Sequence, residues 1–263
     1  MGISRQVFTI ILLFQIMPSY SHSDNDSTSS QTTRIEYNQS NSTINSSIES
    51  EKHSFFEPYN ALYSTVYKKG ITLKVEGTQI LTQTTDNTWK FEFSVDTLLA
   101  SLKESSQFRL DRGSLRPTKY HYSSRILGKH KEMLLHFDWD DMKVTNDVKN
   151  DPWKMDINDL TLDRLTLQLQ LRFDLLNQRE QLSYDIADGG KLKRYTFAQQ
   201  QIETIDTKLG HLETIKVART DNLSEKRHSY FWFAPEYDYL LVKMEHFEKG
   251  ESYILNLEKI SSP

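Results

Sequence analysis

Residues 159–176, DLTLDRLTLQLQLRFDLL, decide how the rest of the chain is read, because two periodicities fit them. As a strand, the stretch places Leu165, Leu167, Leu169, Leu171, Phe173 and Leu175 on one face and Thr166, Gln168, Gln170, Arg172 and Asp174 on the other. As a helix, it forms one stripe from Leu162, Leu165, Leu169, Phe173 and Leu176. Leu160, Leu167, Leu171 and Leu175 form a second stripe on the opposite side, which suits a helix held between two layers. Both readings bury leucine.

Outward from this stretch, both flanks read as antiparallel β-structure. On the N-terminal side, runs at 62–68, 71–82, 88–95, 105–110, 119–126 and 131–139 are rich in aromatic and β-branched residues and are separated by turn signals. Trp89, Phe91, Phe93 and Val95 share one face, as do Met133, Leu135, Phe137 and Trp139. Gly77, inside the second run, marks a bulge or a close backbone approach. Residues 97–102 read as a helical turn or loop, and 143–148 as a strand pairing back. On the C-terminal side, strands at 181–187 and 191–203 flank Asp188-Gly189-Gly190, a hairpin signal because glycine accepts positive φ. Further strands follow at 212–220, 230–233, 240–248 and 251–260. No internal repeat is evident.

The chain divides into three parts. Residues 1–23 carry Arg5, an apolar run from Val7 to Met17, Pro18 and then small residues, the order of an export signal, with cleavage expected after Ser21 or Ser23. The apolar run is shorter than the ~20 residues a membrane-spanning helix needs, so no transmembrane segment is expected once the signal is removed. Residues 24–54 are built from Ser, Thr, Asn, Asp and Gln and read as a disordered polar linker. Residues 55–263 form a single β-rich domain long enough to bury a core.

The net charge of -4, with Lys and Arg scattered among acids, argues against nucleic acid as a partner. The sequence contains 0 cysteines, which excludes disulfides, thiol nucleophiles and thiolate metal sites. An exported chain must then rely on its core alone, which suits a periplasm. Sequons at Asn25, Asn38, Asn41, Asn45 and Asn222 would matter only in a eukaryotic secretory route.

Several blocks, taken in order, resemble the exported bacterial family called domain of unknown function 3108. They are Tyr67-Lys-Lys-Gly70-Ile-Thr-Leu, Phe108-Arg-Leu-Asp-Arg-Gly113, Leu115-Arg-Pro-Thr-Lys-Tyr120, His136-Phe-Asp-Trp139 and Val144-Thr-Asn146. The series continues with Leu162-Asp-Arg-Leu-Thr-Leu167, Ala187-Asp-Gly-Gly190, Thr207-Lys-Leu-Gly210, Thr214-Ile-Lys-Val217, Trp232-Phe-Ala-Pro-Glu236 and Tyr239-Leu-Leu-Val-Lys243. The resemblance implies a periplasmic protein with a curved, mostly antiparallel sheet, and it transfers no catalytic residues. It also implies a helix over about 161–176, started by Asp159 or Thr161 as cap, with Asp163 in the first turn. The expected fold is therefore mainly β, a curved or partly closed, barrel-like antiparallel sheet with one principal helix.

No motif announces a reaction or a cofactor. The eight histidines match no ligand spacing; His136, Asp138 and Asp140 share a strand face in steps of about 7 Å, long for one metal. No GxSxG elbow or glycine-rich phosphate loop is present. The function expected is a non-enzymatic periplasmic envelope protein that binds an apolar or amphipathic ligand such as a lipid, or an envelope protein partner, in the concave sheet. Trp89, Phe91, Phe137, Trp139, Phe231, Trp232 and Tyr237 are the candidate ligand-binding residues. The alternatives are a structural or scaffolding protein whose core is filled by its own side chains, and a hydrolase of envelope polymers. Because a helix over 161–176 can plug the sheet or lie at its rim, its position discriminates between a filled interior and room for cargo.

Overall fold

The computed structural model describes residues 56–262 apart from 70, 86, 99, 112, 127, 149–151, 189, 222 and 249; the expected signal and polar linker lie outside the described residues. The first half contains β1 (Tyr59–Lys69), β2 (Ile71–Thr85), β3 (Thr88–Asp96), β4 (Ala100–Asp111), β5 (Ser114–Ile126), β6 (Lys129–Asp138), β7 (Lys143–Asn146) and β8 (Trp153–Asp156). Then come β9 (Thr161–Leu162), helix α1 (Arg164–Leu176), β10 (Leu182–Asp188), β11 (Lys191–Thr207), β12 (Gly210–Arg219), β13 (Arg227–Ala234), a 3₁₀ turn (Pro235–Tyr237), β14 (Leu240–Glu248) and β15 (Glu251–Ser261). The fold is mainly β, one large open sheet with one α-helix among the described residues.

The sheet order is β8-β7-β6-β5-β4-β3-β2-β1-β15-β14-β13-β12-β11-β10-β9. Sequence neighbours are sheet neighbours except β8 and β9, which lie at opposite ends of the order, and β1 also meets β15. Every pairing is antiparallel except β9 with β10, where Asp185 faces Thr161 and Ile186 faces Leu162. The two edge strands, β8 and β9, are joined by residues 157–160. Laid flat, fifteen strands would hold those edges roughly 65 Å apart, whereas a link of five peptide steps reaches about 18 Å at most. The sheet therefore has to curl until its ends approach, beyond the ordinary twist of strands.

The ends meet along a seam that is fastened on one side. Asn158 Nδ2 donates to Asp185 Oδ2 at 2.7 Å, and Ile157 N, donating to Met142 O at 3.0 Å, extends the β7–β8 ladder up to that point. Trp153 of β8 lies against the β10–β11 turn, so that a methyl group on Gly190 would sit 3.5 Å from Trp153 Cγ. Gly190 has φ +74, the left-handed conformation expected of this hairpin.

The alternating side chains sort as the pattern demands. Trp89, Phe91, Phe93 and Val95 of β3 are buried while their neighbours are part-exposed or exposed. Inside the curve lies α1, with Leu165, Leu167, Leu169, Leu171 and Leu175 all buried. The ambiguous stretch is a helix over Arg164–Leu176, enclosed by sheet, and burying five leucines there is worth on the order of 10 kcal/mol.

Two local expectations are corrected and one is narrowed. Residues 161–162 belong to β9 and the helix starts at Arg164, capped by Asp163 in place of Asp159 or Thr161. Thr161 is committed to the preceding turn, its N–H donating to Asn158 O at 3.1 Å, whereas the extended Asp163 accepts from Leu165 N and Thr166 N, both at 2.8 Å. Thr166 Oγ1 accepts from Asp163 N in return, completing a capping box with threonine in the usual glutamate position. Residues 97–102 are no helical turn: Thr97 closes a hairpin, its Oγ1 donating to Ala100 O at 2.9 Å, and β4 runs from Ala100. At Gly77 the β1–β2 register is unbroken, so the glycine marks a close approach and no bulge.

That approach is tight. A Cβ at Gly77 would lie 2.5 Å from Phe93 Cζ and 3.0 Å from Val95 Cγ2. Gly77→Ala should therefore destabilise the domain by ~1–3 kcal/mol through overpacking, measurable by urea unfolding. In a double-mutant cycle with Phe93→Leu, the alanine should cost clearly less in the trimmed background, and simple additivity would contradict the contact.

Candidate functional site

On either periodicity the polar residues between the leucines of α1 look solvent-facing, yet the curled sheet buries most of them. Each then needs a partner, since an unpaired buried polar group costs ~1–3 kcal/mol. Asp163 accepts from Ser106 Oγ of β4 at 2.5 Å. Gln168 accepts from Gln79 of β2 at 3.3 Å, and Gln79 in turn accepts from Tyr59 of β1 at 3.1 Å. Gln170 accepts from Leu115 N of β5 at 2.8 Å and donates to Asp174 Oδ1 at 2.9 Å. Arg172 donates to the Asp238 and Tyr237 carbonyls at 2.8 and 3.2 Å, with its guanidinium 3.9 Å from the Phe56 ring centroid. Asp174 accepts from Tyr184 of β10 at 2.9 Å. The helix is thus fastened to the sheet on several sides.

Around its N-terminus the bonds become ionic. Arg164 donates to Asp188, whose other oxygen accepts from Lys193 at 2.6 Å, and Tyr120 donates to Glu104. Glu104 is 2% exposed, with its Oε2 and the Arg164 Nε lacking hydrogen-bond partners. Burial raises the Glu104 carboxyl to about 7 against the smaller opposing effects of Tyr120 and Arg164. Burial likewise raises Asp163 to about 6 despite its hydrogen bonds to Ser106, Thr166 and Leu165. At Asp188 burial pushes the other way from Arg164 and Lys193, and the two cations win, so its pKa is lowered.

At the opposite end of α1, where the seam is not fastened, a cleft of about 450 Å³ opens. Leu115, Leu160, Leu162, Asp174, Arg179 and Ser183 line it, and Leu160 is 63% exposed at its mouth. Burial raises the pKa of Asp174, which is partly offset by its bonds from Tyr184 and Gln170 and by Arg179.

The aromatic candidates do not converge on this cleft. Trp89 and Phe91 sit in the core on β3, while Phe137 stacks on half-buried Trp139 at 6.0 Å. Trp139 Nε1 donates to Pro117 O at 2.6 Å. Phe231 faces inward against Phe197 at 5.8 Å between centroids. Trp232 lies on the other face of β13, opposite Lys216 and Lys243, and donates to Glu203 at 2.8 Å. Tyr237 is half-buried in the 3₁₀ turn, its carbonyl taken by Arg172. His136 pairs with Asp147 at 3.4 Å, apart from Asp138, which accepts from Asp141 N at 3.0 Å. Among the described residues no group of three or more His, Cys, Asp or Glu could hold a metal ion.

The ionic cluster had one local signal. Glu104 and Ser106 share strand parity with Leu102 and Phe108, so they point inward with them. Arg164 carried none, because a lone arginine in a leucine-rich stretch fits a solvated face equally well.

These features define a class: a barrel-like sheet left open at one seam and filled by an internal helix. The fold is similar to that of a β-barrel-like protein of domain of unknown function DUF1849 from Brucella abortus. It is 10% identical, with a TM-score of 0.57 over 79% of this chain and 98% of that chain. Two further solved structures align at lower TM-scores, which carry no argument here. One is a candidate outer membrane lipoprotein-sorting protein domain from Vibrio parahaemolyticus, at TM-score 0.31 and 9% identity over 80% of this chain and 86% of that chain. The other is a candidate exported protein with a YmcC-like fold from Bacteroides fragilis, at TM-score 0.31 and 13% identity over 78% and 96%. No curated protein matches the chain. Residues 58–255 match the family model described as Protein of unknown function (DUF3108), and the chain belongs to that family.

The raised Glu104 pKa makes a pH prediction with a definite sign. Below pH 4.5 the carboxyl is protonated folded or unfolded; between 4.5 and about 7 only the unfolded chain ionises, so the folded state loses stability as pH rises and the loss levels off above 7. Glu104→Gln removes that ionisation while keeping an acceptor for Tyr120. Relative to wild type, the variant should gain about 3 kcal/mol between pH 5 and pH 8, read by chemical denaturation. His246, held down to about 4 mainly by burial, acts with the opposite sign in both proteins, so the difference isolates Glu104.

Proposed function

We propose that this chain is a non-enzymatic protein of the bacterial envelope, exported to the periplasm, whose sheet is filled by its own helix. It acts through its surface, as a scaffold or adaptor, and does not carry an apolar molecule inside. The observation behind this reading is α1 itself: Leu165, Leu167, Leu169, Leu171 and Leu175, drawn from both stripes, are buried, and polar residues between them are bonded to surrounding strands. Trp89, Phe91 and Phe231 then serve as walls of a packed interior. The leader-like pattern at 1–23 supports export.

Catalysis has little to stand on. Glu104, Asp163 and Asp188 form a carboxylate cluster with shifted pKa values, but they are 0–2% exposed and out of reach of a polymer. The buried carboxylate of the cleft, Asp174, is committed to Gln170, Tyr184 and Arg179. Among the described residues no helix is long and apolar enough to cross a membrane.

Native mass spectrometry of the protein purified from its own periplasm, followed by lipid extraction, tests the reading. The expected result is the bare mass of the processed chain and no stoichiometric lipid. A co-purifying lipid or other apolar molecule at one per chain would restore the carrier function and overturn the filled-interior proposal.

A further inference from the structure

The cleft lies where the sheet leaves an edge unpaired. Strand β10 has β11 on one side, but on the other side β9 covers only Asp185 and Ile186. The directions of the neighbouring bonds show which groups are left over. Thr196 of β11, opposite Ser183, uses its N–H and C=O toward the β12 side: its N–H donates to Asp221 Oδ1 at 3.0 Å and its C=O accepts from Thr220 N at 2.8 Å. Ser183 and Thr196 are therefore a non-hydrogen-bonded pair, and the Ser183 N–H and C=O point away from β11. The same parity makes Asp185 face β9, as it does, and makes Gln181 face the seam beside Ser183. The chain that could have covered this edge turns off at residues 158–161, held by Thr161 N donating to Asn158 O. Ser183 thus presents a backbone donor and acceptor to an open cleft, beside Leu115, Leu160 and Leu162.

We infer that this edge is a binding site for an extended peptide segment of an envelope protein partner, which adds to β10 as a strand in line with β9. The exposed backbone pair at Ser183 fits another extended backbone. At a strand spacing of about 4.8 Å, a rise of about 3.3 Å per residue and a sheet thickness of about 10 Å, each residue of added strand fills roughly 160 Å³. The cleft of about 450 Å³ therefore holds about three residues. An apolar side chain of that segment would meet Leu160, which is 63% exposed, and Leu162. The seam is fastened at Asn158–Asp185 and stands open at Ser183, so the added strand needs no rupture of the fold. This goes beyond the filled-interior reading and does not depend on it: co-purifying lipid would overturn that reading and leave this one standing.

The test pans a displayed library of random nine-residue peptides against the whole chain, then measures enriched peptides by fluorescence anisotropy and by hydrogen exchange at Ser183. In the free protein the Ser183 amide should exchange quickly. An enriched peptide should slow it at least tenfold, and N-methylation at alternate peptide positions should weaken binding at least tenfold. Ser183→Pro removes only the N–H aimed at the seam and leaves the β11 ladder intact, the setting in which a strand tolerates proline. It should abolish binding while β10–β11 amides stay protected, and Ser183→Ala should bind normally. Should Ser183→Pro fail to fold, the N-methylated peptides decide alone. The inference is overturned if no enriched peptide depends on its own N–H groups, or if the Ser183 amide is already protected in the free protein. Protection that grows with protein concentration would assign the edge to a second copy of this chain and overturn the partner assignment.

Discussion

The fold depends on one covalent constraint: residues 157–160 connect two strands that are the opposite edges of a fifteen-strand sheet. A short tether between distant edges leaves an antiparallel meander no extended form, so the sheet has to curl. Curling creates an interior, and an interior of this size has to be filled because protein cores tolerate few voids. The chain emerging from β9 is already at the seam, and the next residues, capped by Asp163, enter as α1. Closure, helix position and filling are thus consequences of the same link.

Placing a helix inside a sheet buries whatever the helix carries between its leucines. Gln168, Gln170, Arg172 and Asp174 are each bonded to side chains or backbone of the sheet or its turns, and Arg164 pairs with Asp188. A buried ion pair contributes little net stability, because desolvation offsets much of the attraction, but each bond has a fixed place and so fixes the helix rotation and depth. Imperfections remain, among them Glu104 Oε2, Arg164 Nε and Arg172 Nη1, which have no hydrogen-bond partner, and burial favours a proton on Glu104 near neutral pH. The same enclosure that makes these groups chemically unusual removes them from any substrate.

Closure is also incomplete, and the incompleteness is local. The seam is paired at Asp185 and Ile186, Trp153 packs beside Gly190 at the β10–β11 turn, and the edge from Gln181 to Tyr184 is open, where β9 is too short to cover β10. The concave face is occupied by the helix, and β9 stops short of the cleft beside Ser183, where the inferred peptide site lies.

Much of the architecture could be read from the chain alone. Alternation in β3 and β6, turn signals such as Asp188-Gly189-Gly190 and the close approach at Gly77 are local facts of side-chain size and backbone freedom, and they hold in the structure. Period 2 fits residues 165–175 without exception, so periodicity alone favours a strand there, and the helix is what the family resemblance implies and the structure has. Nothing local marked Gln170 or Arg172 as interior, because polar residues between leucine stripes look solvated until a sheet surrounds them. Ser183 looked like any alternating strand residue; its open backbone follows only from where β9 stops. The sequence by itself determined most of the long strands, their apolar faces and hairpin turns such as that at 188–190, since those depend on neighbours a few residues away, but not the short β8 and β9 or the start of β4. Only the tertiary structure decided that the sheet closes on a helix and that one edge stays open, because both depend on where the two ends of the sheet come to lie in space.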